Sequence, residues 1–405
     1  MKICIARLCA AAILAFGPRI EAAPTGGGKA WITIGDAAFR EVRELIPGIV
    51  SVEASEVATA NATEKVHAVA ISEAELDLVA QVIHQRLKRC AGFIQHPTEA
   101  AARQALRRQR VARPVPAYLV DHRDVVVPML AEMQEKNITD TINALSGFPN
   151  RYYKNQSGVD ASNWLTSKWT GMSAGRADIT VKQFAHASYP QQSVILTITG
   201  SDKPAEAVVL GAHLDSILVT GTSEKASAPG ADDDASGVAS LTEALRVIVE
   251  QEYRPRRTIH MIAYAAEEVG LRGSQEIARA FKQSDRKVVG VLQLDMTNYK
   301  GAANDIYLLT DYTDSQLNVF IRQLISSYLP NLKVGQDKCG YACSDHASWQ
   351  AAGYPASMPF ESSFAGDNPY IHTAKDTYAN SGNQAAHALK FARLAAAFAV
   401  ELSSN

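Results

Sequence analysis

Residues 207–216 read AVVLGAHLDS. An unbroken apolar run ends in His213, and Asp215 follows two residues on. The same form returns in TIHMIAYAAEE (258–268) and in VVGVLQLDM (288–296), each closing on carboxylates. A strand with one solvated face alternates apolar and polar residues; a strand buried on both faces of a parallel sheet does not. Shorter runs of similar character lie at Val194–Thr199, Ile306–Thr310 and Ala356–Phe360. Between them, Val238–Glu250, Leu271–Lys282, Asp314–Tyr328 and Gln384–Leu402 carry apolar residues at helical spacing. Strands alternating with helices predict an α/β unit over residues 113–405. It is a three-layer α/β/α arrangement with a mostly parallel sheet.

Ligands of open α/β sheets bind beyond the carboxyl ends of the strands. His213, Glu267, Glu268 and Asp295 are therefore expected at one edge. Two loop residues join them in sequence order: Asp233 in PGADDDASG (229–237) and His372 in NPYIHT (368–373). Each has an ordinary reading alone. His213 could be a satisfied core histidine, Asp232–Asp234 a solvated acidic turn capping a helix, and Glu267–Glu268 an acidic helix start. Together, histidine and carboxylate donors suit zinc, and one carboxylate can bridge two ions. Asp215 is placed to orient the imidazole of His213.

Working outward, the chain begins with a positive flank (Lys2, Arg7), a short apolar stretch from Leu8 to Gly17, and small residues near Ala23. Residues 1–23 read as a secretory signal peptide; a buried apolar helix is the competing reading. Residues 24–112 read as a small α+β unit without catalytic groups. Trp31–Ile34 and Val66–Ile71 resemble strands. Ser72–Cys90 is a predicted helix opened by a Ser72-x-x-Glu75 capping box. The stretch from Ala100 to Arg113, containing Arg103, Arg107, Arg108, Arg110 and Arg113, reads as a linker that is either solvated or open to a processing protease.

A net charge of −2 offers no reason to expect nucleic-acid binding, and no run is long enough for a membrane anchor. Of five cysteines, Cys4 and Cys9 fall in the predicted signal. Cys339 and Cys343 suit a short disulfide in an oxidising compartment, with a thiolate metal pair as the alternative. Cys90, on the apolar face of the predicted helix, reads as a buried thiol.

The segments GAHLDS, APGADDDASG, AYAAEEVGLRGSQ, LQLDMTNYKG, CGYACSDHASW, AGYPASMPFES and NPYIHT resemble those of the secreted bacterial leucyl aminopeptidases of zinc-peptidase clan MH. The resemblance spans essentially all of the second unit. It implies two zinc ions sharing Asp233, with Glu268 and His372 completing one site and His213 and Asp295 the other. It implies Glu267 as general base, Tyr341 as hydrogen-bond donor to the reacting carbonyl oxygen, and a cis peptide after Asp233. A hydrophobic pocket for the first side chain maps to Met296, Leu309, Phe360, Phe364 and Ile371, beside the Cys339–Cys343 pair. Asp367 departs from this pattern, standing where a pocket aromatic is expected.

By the same resemblance, residues 24–112 are an inhibitory propeptide. The expected substrates are peptides with a free N-terminus. The expected partners are the chain's own propeptide and an activating protease, around a monomeric extracellular enzyme. Two alternatives stay open at this point: a single-zinc enzyme that cyclises N-terminal glutamine, and a non-catalytic peptide-binding domain on the same fold.

Overall fold

A computed structural model of the chain describes residues 28–46, 48–58, 63–107 and 118–405. The predicted signal peptide and residues 108–113 of the arginine-rich stretch lie outside them.

The N-terminal unit comprises β1 (Lys29–Gly35), α1 (Asp36–Leu45), β2 (Ser51–Ala58), β3 (Thr63–Ser72), α2 (Leu76–Leu87), β4 (Ile94–His96) and α3 (Glu99–Arg107). Its strands form an antiparallel sheet in the order β2-β3-β1-β4. Successive side chains of a strand face opposite ways, and both faces of this sheet are apolar. Ile32, Ile34, Val69 and Ile71 pack against α1 and α2. Val66 and Ala68 pack against Ala102 and Leu106 of α3.

The expected linker from Ala100 is thus helical as far as Arg107, because Ala102 and Leu106, one turn apart, cover a sheet face that would otherwise meet water. Arg103 and Arg107 are not freely solvated: both bind Glu53, at 2.8 and 2.9 Å. The capping box at Ser72 and Glu75 forms, on a 3-10 turn that precedes α2. Lys88 takes a left-handed conformation (φ 54°) that ends the helix at Leu87. Cys90 therefore lies beyond α2 rather than on its face.

The second unit continues with α4 (Arg123–Ala131), α5 (Glu135–Ser146), α6 (Gln156–Met172), β5 (Ile179–Phe184), β6 (Ser193–Ile198), β7 (Lys203–His213), α7 (Ala235–Glu250), β8 (Arg257–Tyr264), α8 (Arg272–Gln283) and β9 (Lys287–Gln293). It closes with β10 (Ile306–Leu309), α9 (Ser315–Tyr328), β11 (Val334–Asp337), α10 (His346–Ala352), β12 (Ala356–Ser357), β13 (Pro359–Phe360) and α11 (Ala386–Ser404). The main sheet runs β12-β9-β7-β8-β6-β5, parallel from β12 to β8 and antiparallel at β6 and β5. Val208, Leu210 and Ala212 of β7 face the core shared with α4–α7, α9 and α11. Ala207 and Val209 face the one that holds Ile277 of α8 and Trp349 of α10. This is the three-layer α/β/α fold with a mostly parallel sheet.

The run Ala356–Phe360, expected as one strand, divides at Met358. Its first part pairs with β9 and its second with β10 in a separate three-stranded sheet, β11-β10-β13. The Met358 carbonyl accepts from the Leu309 N–H, so the chain changes sheets there without losing its backbone partners.

Candidate metal centre and its cover

Register places the site. β7 and β8 pair His213 with Tyr264, and β7 and β9 pair Gly211 with Gln293. His213, Glu267–Glu268 and Asp295 consequently leave the sheet together at its carboxyl edge. Asp234 binds their backbones to one another. Its carboxylate accepts from the N–H groups of His213 (2.9 Å), Met296 (3.1 Å) and Gly237 (2.8 Å), capping α7 as it does so. The Asp233–Asp234 peptide is cis, as the resemblance implied. Asp376 holds the same turn by accepting from the Asp232 and Asp233 N–H groups. Arg151 is wholly buried and donates to the carbonyls of Leu214, Gly230 and Pro229, joining the loop after β7 to the loop before α7. Sequence reading missed Asp234, Asp376 and Arg151 as organisers. Only Asp234 carried a signal, as an acid just before a helix.

The expected ligand residues converge. Nε2 of His213 is 2.8 Å from Asp233 Oδ1 and 3.5 Å from Asp295 Oδ1. Nε2 of His372 is 3.1 Å from Asp233 Oδ2 and 3.1 Å from Glu268 Oε2. Two donor groups result, His213–Asp233–Asp295 and Asp233–Glu268–His372, with Asp233 common to both. Within each, the donor atoms lie within 4.8 Å of one another. Asp233 Oδ2, Glu268 Oε2, Asp295 Oδ1 and both Glu267 oxygens are buried without a hydrogen-bond partner. Burial pushes the Glu267 carboxyl up, and Glu268 to about 7 with the nearby Asp233 adding to the push. Four buried acids gathered on two imidazoles are costly, and a divalent cation among them removes the cost. Nitrogen and oxygen donors in this number fit zinc.

Asp215 stands a little apart from its expected role. Its carbonyl oxygen is 3.1 Å from His213 Nδ1, and its carboxylate is 3.6 Å away. That carboxylate accepts instead from the N–H groups of Glu267 (2.9 Å) and Glu268 (3.2 Å). Asp215 therefore aims both acids as well as the imidazole.

Beside the metal groups is a cavity of about 200 Å³ lined by Met296, Met358, Phe360, Phe364, Ile371 and Tyr341. Leu309 is fully buried behind it in the same apolar cluster. Cys339 and Cys343 are joined by a disulfide that flanks Tyr341. Asp367 lines the cavity, its carboxyl pushed to about 6 by burial and by Asp232.

The N-terminal unit closes this cavity with Leu87, Lys88, Arg89 and Cys90. Val79, Val82, Ile83 and Phe93 share one apolar core with Tyr152, Tyr153, Ile217 and Val269 of the second unit. His84, buried at the same junction, donates from Nε2 to the Glu268 carbonyl at 2.6 Å. The Arg89 guanidinium lies 3.8 Å over the Tyr341 ring. None of these contacts was legible in the sequence, which showed Cys90 only as a thiol on the apolar face of a helix.

A mostly parallel α/β sheet with buried histidines and carboxylates gathered at its carboxyl edge defines a protein with a metal centre there. The chain belongs to peptidase family M28, whose description it matches over residues 193–398. It is 36% identical over 288 residues to a "probable leucine aminopeptidase" of Arthroderma otae, covering 70% of this chain and 78% of that protein. It is 38% identical to "leucine aminopeptidase 1" of Grosmannia clavigera, covering 69% and 70% of the two chains. Among solved structures, the LapA aminopeptidase of Legionella pneumophila superposes with a TM-score of 0.75 at 31% identity. That match covers 94% of this chain and all of the other, and so extends into the N-terminal unit. The chain is a zinc-dependent aminopeptidase, and its likeness reaches fungal as well as bacterial enzymes.

Proposed function

We propose that this aminopeptidase binds two zinc ions and removes large apolar residues, leucine foremost, from the N-terminus of peptides. We also propose that it is secreted as a precursor whose residues 24–112 block the site until cleaved. The observation that carries the first reading is the shared position of Asp233 between two buried donor groups. His213 and Asp295 would hold one ion, Glu268 and His372 the other, and Asp233 both.

Bound zinc supplies a water of lowered pKa and polarises the scissile carbonyl. The chain's residues do the rest. Glu267, buried and unpartnered beside both groups, takes the proton of the attacking water and returns it to the leaving amine. Tyr341, once Arg89 is removed from its ring, donates to the developing oxyanion. The cavity beside it accepts the first side chain through Met296, Phe360, Phe364 and Ile371, with a preference of about 1–3 kcal/mol per methylene. The full pair of donor groups favours this over a single-zinc cyclase.

Coverage of the cavity by Leu87–Cys90 supports the blocking role of the N-terminal unit. The disulfide is consistent with an oxidising compartment. The test is to purify the precursor, count zinc, and assay leucine p-nitroanilide before and after limited proteolysis within residues 108–117. Two zincs per chain and a rise in rate on cleavage are expected. One zinc per chain in the active enzyme would refute the shared-aspartate reading, and an uncleaved precursor as active as the product would refute the blocking role.

A further inference from the structure

We propose that Cys90 is a ligand to the metal held by Asp233, Glu268 and His372, so that the N-terminal unit closes the site by coordination and not by coverage alone. This rests on the zinc reading given above. The geometry is direct. Cys90 Sγ lies 3.5 Å from His372 Nε2. One donor atom each from Cys90, Asp233, Glu268 and His372 falls within 4.8 Å of the others, and all four residues are buried. Asp233 Oδ2 and Glu268 Oε2 border this space, buried without a hydrogen bond, each 3.1 Å from His372 Nε2. A cation centred here would have three ligands from the second unit and one from the first.

The sulfur is held where it is. On one side of it, His84 donates to the Glu268 carbonyl at 2.6 Å. Next to it, Arg89 lies on the Tyr341 ring. On the other side, Gly92 passes so near residue 342 that a Cβ there would stand 1.9 Å from the Ala342 carbonyl oxygen. The left-handed turn at Lys88 directs the chain from α2 into this slot. Cys339 and Cys343 are bonded to each other, so Cys90 is the free thiol among the described residues.

Thiolate sulfur is a strong zinc donor, and structural zinc sites commonly combine cysteine with other protein ligands until no position is left open. On binding, the S–H bond breaks, its proton passes to the buffer, and a sulfur lone pair forms the bond to the metal. No oxidant or reductant takes part. A fourth protein ligand would leave that ion one position fewer for a reacting water, so the precursor would be silent for a chemical reason. Cleavage of the chain between the units lets the donor leave with the N-terminal unit.

Zinc K-edge X-ray absorption of the zinc-loaded precursor provides the test. A sulfur scatterer at about 2.3 Å is expected, the usual Zn–S distance. It should be absent from the processed enzyme and from the Cys90→Ser precursor. In the intact Cys90→Ser precursor, leucine p-nitroanilide hydrolysis should rise at least about tenfold, the factor carried by one modest interaction. Bound zinc with only nitrogen and oxygen neighbours in the wild-type precursor would overturn the inference, whatever the variant does. If that precursor is also inactive, coverage alone accounts for the block and the proposed function stands. A precursor that binds no zinc would overturn both.

Discussion

At the residue scale, the site depends on a few buried groups whose partners are fixed by backbone geometry. Asp215 aims Glu267 and Glu268 through their N–H groups, yet neither oxygen of Glu267 has a partner. A carboxylate held in place with its lone pairs free is poised to move a proton rather than to hold the fold together. Glu267→Gln is therefore expected to retain zinc and lose at least ~10²-fold in turnover, the lower range for general acid–base catalysis. Near-normal turnover in the zinc-loaded variant would remove Glu267 from that role. Arg151 is the opposite case, a buried group with every visible contact spent on structure. Replacing it by methionine leaves the carbonyls of Leu214 and Pro229 without their donor, while that of Gly230 keeps the Ala235 N–H. Each buried acceptor so stranded costs roughly 1–3 kcal/mol. Urea denaturation should show Arg151→Met with a clearly lower midpoint, and an unchanged midpoint would mean that water replaces the guanidinium without loss.

At the scale of elements, α2 and the segment after it act as one device. The helix supplies apolar residues to a shared core, and the chain beyond Lys88 enters the cavity beside the metal groups. It passes close to the second unit at Gly92, where only a residue lacking Cβ fits against Ala342. Gly92→Ala is expected to loosen the cover. The intact variant should hydrolyse substrate faster than the intact wild type, while the two processed enzymes, which no longer contain residue 92, should be identical. Equal rates for the two precursors would show that the 88–92 segment does not govern access. The helices α4, α5 and α6 contribute nothing to the chemistry directly. They cover one face of the sheet, and with it the strand ends that carry the ligands stay dry.

At the scale of the whole molecule, the two units share a core instead of touching through a wet surface. Tyr152, Tyr153, Ile217 and Val269 are buried against Val79, Val82, Ile83 and Phe93. Polar contacts at the edge, such as Tyr153 Oη to Asp77 at 2.6 Å and Gln95 N–H to Gln275 at 2.6 Å, set the register of docking. Metal should stabilise this assembly, because the acids at its centre lie buried in the folded state and are solvated in the unfolded one. A ligand at 100 times its dissociation constant adds about 2.7 kcal/mol. Chelation is thus expected to lower the melting temperature of the precursor, and zinc to restore it. A melting temperature indifferent to chelator, with metal shown to be lost, would mean the carboxylates are relieved in some other way.

The amino-acid sequence by itself determined the sheet, its mostly parallel order and the positions of His213, Asp233, Glu267, Glu268, Asp295 and His372. Those residues were legible because apolar runs announce buried strands, and a charge at the end of such a run needs a partner. The local sequence of α4 to α6 left no comparable mark, since a helix that covers a sheet needs only one apolar stripe. Two features waited on tertiary structure. The run at Ala356–Phe360 serves two sheets because its neighbours β9 and β10 diverge there, which no property of the run itself encodes. Cys90 looked like a thiol on a helix because its spacing from Leu76 and Ile83 is helical. A single left-handed residue, Lys88, takes it off that helix. Only the docking of one unit on the other then brings it to His372, 282 residues away in the chain.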